Sequence, residues 1–95
     1  MIERHITFSV HPDRIADFER FIAEVYGRAM AASPGFVKVE LLRETGSPTR
    51  YQLVFRFQDA ASATAWRTSK VHEALQPGLK ALHDGMEITG YDVVG

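Results

Sequence analysis

Residues 36–57, FVKVELLRETGSPTRYQLVFRF, hold two runs of alternating character around the cluster Thr45-Gly46-Ser47-Pro48-Thr49. In the first run Val37, Val39 and Leu41 alternate with Lys38 and Glu40. In the second, Tyr51, Leu53, Phe55 and Phe57 alternate with Gln52, Val54 and Arg56. A period of two belongs to a strand with one buried face, and the cluster between the runs supplies turn chemistry. The segment therefore predicts a β-hairpin, and what flanks it decides the fold.

Upstream, Ile15, Phe18, Ile22, Val25 and Ala29 recur at helical spacing, and Phe21 widens the stripe. Pro12 suits the first position of that helix, Asp13 suits its positive end, and Ser33-Pro34-Gly35 stops it. Before it, Ile6, Phe8 and Val10 alternate with His5, Thr7 and Ser9, which predicts a strand over Ile2–Val10. Downstream, Asp59 is placed to cap a helix beginning near Ala60. Ser69 is placed to cap a fresh turn, and Pro77-Gly78 is expected to interrupt hydrogen bonding. Val71, Leu75, Leu79 and Leu82 form a buried stripe across the break. Gly85 ends the helical region, and Met86–Val94 reads as a last strand with a bulge at Gly90.

The order β-α-β-β-α-β predicts an α+β, ferredoxin-like domain over residues 1–95: a four-stranded antiparallel sheet with helices on one face. Its other face would carry His5, Thr7, Ser9, Gln52, Val54 and Arg56. Covering that face with a second copy, as a closed two-fold homodimer, is the expected assembly.

The chain's 95 residues suit one core and not two. Apolar residues at 45% and charged residues at 24% are those of a globular protein, not a disordered one. With 11 Lys and Arg against 12 Asp and Glu the net charge is −1, and no basic run exists to follow a phosphate backbone, so no nucleic-acid partner is expected. Without cysteine there are no disulfides, thiolate metal sites or cysteine nucleophiles. No apolar run approaches the roughly 20 residues of a membrane span, and no hydrophobic signal core opens the chain. A cytoplasmic protein without a membrane partner is expected.

Trp66, the single tryptophan, reads either as a core anchor or as a flat wall of a pocket between helix and sheet. Of the four histidines, His11 stands at a helix entry and His83 in a last helical turn, where a positive charge suits the dipole. His5 and His72 are the candidates for a general base. Six residues separate Trp66 from His72, about 240° on one straight helix, so only a break near Ser69 brings them together. Arg56, between Phe55 and Phe57, is a candidate for holding an anionic or enolic oxygen. Tyr26, Tyr51 and Tyr91 offer hydroxyls, and nothing selects one. No convergent metal-ligand set, phosphate-cradling glycine loop or nucleophile elbow is present, so neither a metal nor a cofactor is expected.

Ser33-Pro34-Gly35-Phe36, Glu40-Leu41-Leu42-Arg43, Arg50-Tyr51, Phe57-Gln58-Asp59 and Trp66-Arg67-Thr68-Ser69 followed by His72 and Leu75 together resemble the antibiotic-biosynthesis-monooxygenase family of the dimeric α/β barrel superfamily. The resemblance implies a homodimer whose two sheets form a barrel, with a pocket in each subunit between sheet and helices. It also implies oxygenases of aromatic polyketides or quinols that need no metal or flavin, in which the deprotonated substrate itself reacts with oxygen. On that reading His72, Arg56 or His5 handles the proton or anion, and Trp66, Phe55, Phe57, Tyr51 and Phe8 wall the pocket around a small aromatic molecule. A non-catalytic binding protein with the same pocket is the alternative. The heme-degrading relatives place an Asn on the first strand and an iron-ligating His nine or ten residues after the Trp. Here those places hold Ile6 or Thr7, and Leu75 or Gln76, which makes a heme protein the less favoured reading.

Overall fold

A computed structural model describes all residues 1–95. The chain runs β1 (Ile2–Val10), α1 (Ile15–Phe21), a π-helical turn (Ile22–Tyr26), α2 (Gly27–Ala31), β2 (Phe36–Arg43), β3 (Arg50–Phe57), α3 (Ala60–Arg67), α4 (Lys70–Lys80) and β4 (His83–Asp92). The strands form one antiparallel sheet in the order β2-β3-β1-β4, the α+β ferredoxin-like arrangement predicted from the element order. No helix is long and apolar enough to cross a membrane.

In β1 and β3 the alternation is realised residue by residue. Ile6 pairs with Leu53 and Phe8 with Tyr51, all buried beneath the helices, while His5 pairs with Val54 and Thr7 with Gln52 on the outer face. In β2 the pattern slips. A bulge at Val37 breaks the register against β3, so Phe36, Val39 and Leu41 turn inward and Val37 is left exposed. In β4 the register shift lies opposite Ser9 and Val10, where Asp84 is the extra residue. Gly90 pairs regularly with Arg4, so the bulge expected there stands nearer the strand's start.

The first helical region begins at Ile15, after a turn at Pro12-Asp13, and its buried stripe differs from the expected one. Phe18, Ile22, Tyr26 and Met30 are buried, and Val25 is 41% exposed. Four-residue steps do not stay on one face of an α-helix: Phe18 and Met30 would stand about 120° apart. The π-helical turn slows the rotation and returns Tyr26 and Met30 to the core. Gly27 closes it by donating its N–H to the Ile22 carbonyl, and a Cβ at residue 27 would lie 2.8 Å from that oxygen. Past the helix, Gly35 adopts φ +81° and a Cβ there would overlap Ser62, so the stop at Ser33-Pro34-Gly35 needs its glycine.

Asp59 caps α3 by accepting from the Ser62 N–H at 2.7 Å. α4 runs through Pro77 without interruption, contrary to expectation. The carbonyl deprived of a partner belongs to Glu73, on an exposed turn where water can serve it. Gly78 lets Phe21 approach, since a Cβ there would lie 3.1 Å from its ring. Of the expected stripe, Leu79 and Leu82 are buried, Leu75 is half-buried and Val71 is exposed.

Candidate functional site

The site is made by a break. α3 ends at Arg67 with Thr68 as its C-cap, and Ser69 caps the start of α4 at Lys70. The Ser69 hydroxyl donates to the Trp66 carbonyl at 2.7 Å and accepts from the His72 N–H at 3.1 Å, tying the two residues across the corner. The Trp66 and His72 rings consequently meet edge to face, centroids 5.2 Å apart at 84°. Tyr26, delivered by the π-helical turn, stands edge-on to both, at 5.6 Å from Trp66 and 6.1 Å from His72.

These three rings corner a cavity of about 220 Å³ between the sheet and α3–α4. Its floor is Ile6 and Phe55, its far wall Ala63 and Leu79, and its mouth Met86 and Ile88 on the β4 edge. The polar lining is Arg4, Arg67 and Gln76, together with His72. Burial and the nearby Arg67 charge hold the His72 imidazole below its ordinary value, which keeps it neutral near pH 7. Gln76 Nε2 lies 3.2 Å from His72 Nε2, so the amide donates to that nitrogen and leaves the ring proton on Nδ1. Burial pushes the Tyr26 phenol up to about 12, so it remains a neutral hydroxyl, with the Trp66 side chain offsetting part of the effect.

Of the residues chosen from sequence, His72, Trp66 and Phe55 meet at the cavity. Phe8, Phe57 and Tyr51 are on the same face of the sheet but inside the core. Phe8 packs on Phe18, Phe57 on Phe36 and Phe55, and the Tyr51 hydroxyl donates to Glu19. His5 and Arg56 are on the opposite face. There Glu3 accepts from His5 Nε2 at 2.7 Å and from Arg56 Nε and Nη2 at 2.9 and 2.7 Å, and His5 rests on Tyr91. The sheet's thickness separates them from the Trp66–His72 corner, so the structure does not bring the three catalytic candidates together. His83 is not in a helical turn: it opens β4 with its ring 5.1 Å from Phe8, and neither ring nitrogen is hydrogen-bonded. Burial lowers its affinity for a proton, so it serves the core as a neutral ring rather than a helix dipole as a cation.

Arg4, Arg67 and Gln76 are not among the site candidates the sequence yields, and nothing in it selects Tyr26 over the other tyrosines. Arg4 was within reach: it shares the parity of Ile6 and Phe8 in β1, the face read as buried. Gln76 follows His72 by four residues, one turn along α4, and becomes visible once His72 is placed. Tyr26 depends on the π-helical turn. No three His, Asp or Glu side chains gather in a metal-binding arrangement.

A family model described as antibiotic biosynthesis monooxygenase matches residues 1–78. No curated protein matches. Among solved structures, the cofactor-independent oxygenase SnoaB from Streptomyces nogalater is 24% identical, with 97% of this chain and 91% of that one covered and a TM-score of 0.88. A protein of Nitrosomonas europaea assigned to antibiotic biosynthesis monooxygenases is 16% identical over the whole of both chains, with a TM-score of 0.85. A Deinococcus radiodurans protein assigned likewise is 14% identical, covering 100% and 94%, at 0.89. At these identities the structures establish a shared fold, and the match of the family model over most of the length adds descent. The chain belongs to the antibiotic biosynthesis monooxygenase family.

Proposed function

We propose that this protein is a cofactor-independent monooxygenase for a small aromatic, polyketide or quinol substrate. The observation that carries the reading is the Trp66–His72 corner, set by the Ser69 clasp, opening on a largely apolar cavity. An engineered cavity of roughly 150 Å³ takes a benzene, so 220 Å³ admits one or two fused rings, with any further ring lying in the mouth between Met86 and Ile88.

His72 is neutral and accepts the substrate proton at Nε2, the position Gln76 yields when substrate enters. Trp66 and Phe55 hold the ring plane and exclude water, which strengthens every remaining electrostatic contact. The electron-rich anion then reduces dioxygen. In the methylene case, a ring CH₂ becomes C=O, one oxygen atom enters the product, and the other leaves as water with the two hydrogens. The substrate supplies all four electrons.

The protein acts as a cytoplasmic homodimer. Supporting this, the outer sheet face is free of helices and carries Leu42 and Tyr91 exposed around Val54. Light scattering is expected to give twice 10.7 kDa, and a monomeric mass at micromolar concentration refutes the assembly.

The test of activity is oxygen uptake with one- to three-ring keto and quinol compounds, followed by product analysis under ¹⁸O₂. One oxygen consumed per carbonyl formed, with one labelled atom in the product, is expected. Saturable binding without uptake makes the protein the non-catalytic binder instead.

A further inference from the structure

Several arginines of this protein are committed to carboxylates. Arg56 is held by Glu3, Arg43 lies 3.7 Å from Glu19, and Arg50 lies 3.7 Å from Glu44. Arg4 and Arg67 are different. Both line the cavity, no carboxylate lines it with them, and neither enters an ion pair or a side-chain hydrogen bond anywhere in the structure. Two uncommitted guanidinium groups, Arg4 half-buried and Arg67 exposed at the rim, place positive charge beside apolar walls with no carboxylate to balance it. The chain as a whole is slightly acidic, so this is a local arrangement and not a general basicity.

We infer that Arg4 and Arg67 select a planar aromatic anion of one or two fused rings, its negatively charged oxygen between the two guanidinium groups and its ring against Trp66, Tyr26 and Phe55. This deepens the reading of the cavity as the reactive site and rests on it. The planar fork of a guanidinium matches a carboxylate or an enolate oxygen. The aromatic lining of Trp66, Tyr26 and Phe55 offers ring faces and edges to an aromatic plane, contacts a branched aliphatic acid cannot match. A cationic ligand would meet two like charges with nothing to neutralise it.

The single tryptophan lies in the cavity wall, so its fluorescence reports occupancy without a label. The experiment titrates the full chain with 2-naphthoate and with its neutral analogue 2-naphthalenemethanol at low and high salt. Wild type, Arg4→Gln, Arg67→Gln, Arg67→Lys and, as a charge-matched control outside the cavity, Arg20→Gln are compared after circular dichroism confirms folding. Naphthoate is expected to bind about tenfold or more tighter than the alcohol, with the preference shrinking as salt rises. Either Gln variant is expected to erase most of the preference while leaving the alcohol's affinity in place. Arg67→Lys keeps part of it, and Arg20→Gln keeps all.

Equal binding of the two naphthalenes overturns the inference and leaves the cavity as a neutral aromatic site. A preference that survives both Gln variants overturns the role of these arginines. Failure of both ligands to perturb Trp66 overturns the reading of the cavity, and this inference with it. Oxygen uptake is measured separately, so an anion-selective cavity that consumes no oxygen sinks the oxygenase reading alone.

Discussion

The two faces of the sheet hold the same residue types in opposite conditions. On the outer face Arg56 and His5 converge on Glu3, whose side chain is only 17% exposed, and their charge and hydrogen-bonding capacity are spent within the protein. On the covered face no carboxylate lines the cavity with Arg4, Arg67 and His72, and of the three only His72 has a side-chain hydrogen-bond partner, Gln76. Glu3, Arg4 and His5 are consecutive, so a single step along β1 separates a satisfied cluster from an unsatisfied one. Residue type therefore says little about reactivity until its partners are counted. A histidine and an arginine joined by a carboxylate make an ion-pair cluster, whereas the same groups without it are left for a ligand.

The strongest attempt to break this contrast is a pair of substitutions. With a substrate that supports oxygen uptake, His72→Ala is expected to cost about a hundred- to ten-thousand-fold in turnover, and Arg56→Ala to leave the kinetic constants at wild type while altering self-association. Equal losses would mean that the outer face takes part in the chemistry. Stability divides in the same way. Phe8→Ala, which empties a fully buried site beneath the helices, is expected to cost about 3–5 kcal/mol in denaturant unfolding. Thr7→Ala, its neighbour on the outer face, is expected to cost under about 0.5 kcal/mol.

A finer test addresses the clasp. Ser69→Ala removes the cap of α4 and the tie to Trp66, and should lower stability by about 1 kcal/mol. It should also weaken naphthalene binding, whereas a capping role confined to the helix would leave that binding alone. The smallest effect is a difference in pH windows. Burial and Arg67 depress the His72 proton affinity and burial depresses that of His83, so the unfolded chain takes up protons that the folded one refuses. Their contribution is whole above the ordinary imidazole value of 6.5 and declines as pH falls through it. Hydrogen bonds from His5 and Arg56 hold the Glu3 carboxyl below its ordinary value of 4.5. That contribution is whole above 4.5 and is lost only as pH falls further toward the depressed value. Unfolding measured from pH 8 to pH 3 should thus show the stability lost through His72 and His83 before that lost through Glu3. For the same reason the acid limb of turnover should lie below 6.5.

The fold was legible because its signals are local. The alternation of β1 and β3, the turn at Thr45–Thr49, and the caps at Asp59 and Ser69 each depend on a few neighbouring residues, and each is found where the pattern puts it. The geometric condition for joining Trp66 to His72 was legible too, because 240° of rotation demands a break and a serine stood ready to make one. The misplacements have physical reasons. The bulge at Val37 adds a residue that a strict period of two cannot register, and Pro77 is harmless where the carbonyl it strands is exposed. The candidate site was half legible. His72, Trp66 and Phe55 were named, but they were grouped with His5 and Arg56 although β-strand parity already set those two on the other face. Arg4 was passed over while the same parity placed it inside.

The π-helical turn at Ile22–Tyr26 also bears on which length changes the fold can absorb. A deletion inside a helix ordinarily swings everything beyond it by about 100° and ruins one face. Here the chain carries one residue more than an α-helix needs. Removing Ala23 would place the tyrosine three residues and the methionine seven residues after Ile22, and on an α-helix both still point within about 60° of it. The core would keep its rings, and the chain would lose only the wide turn and its carbonyl geometry. A shorter chain with a plain α-helix at this point would thus keep the tyrosine and the methionine on the covered side, with the tyrosine swung by up to about 60° at the cavity's corner.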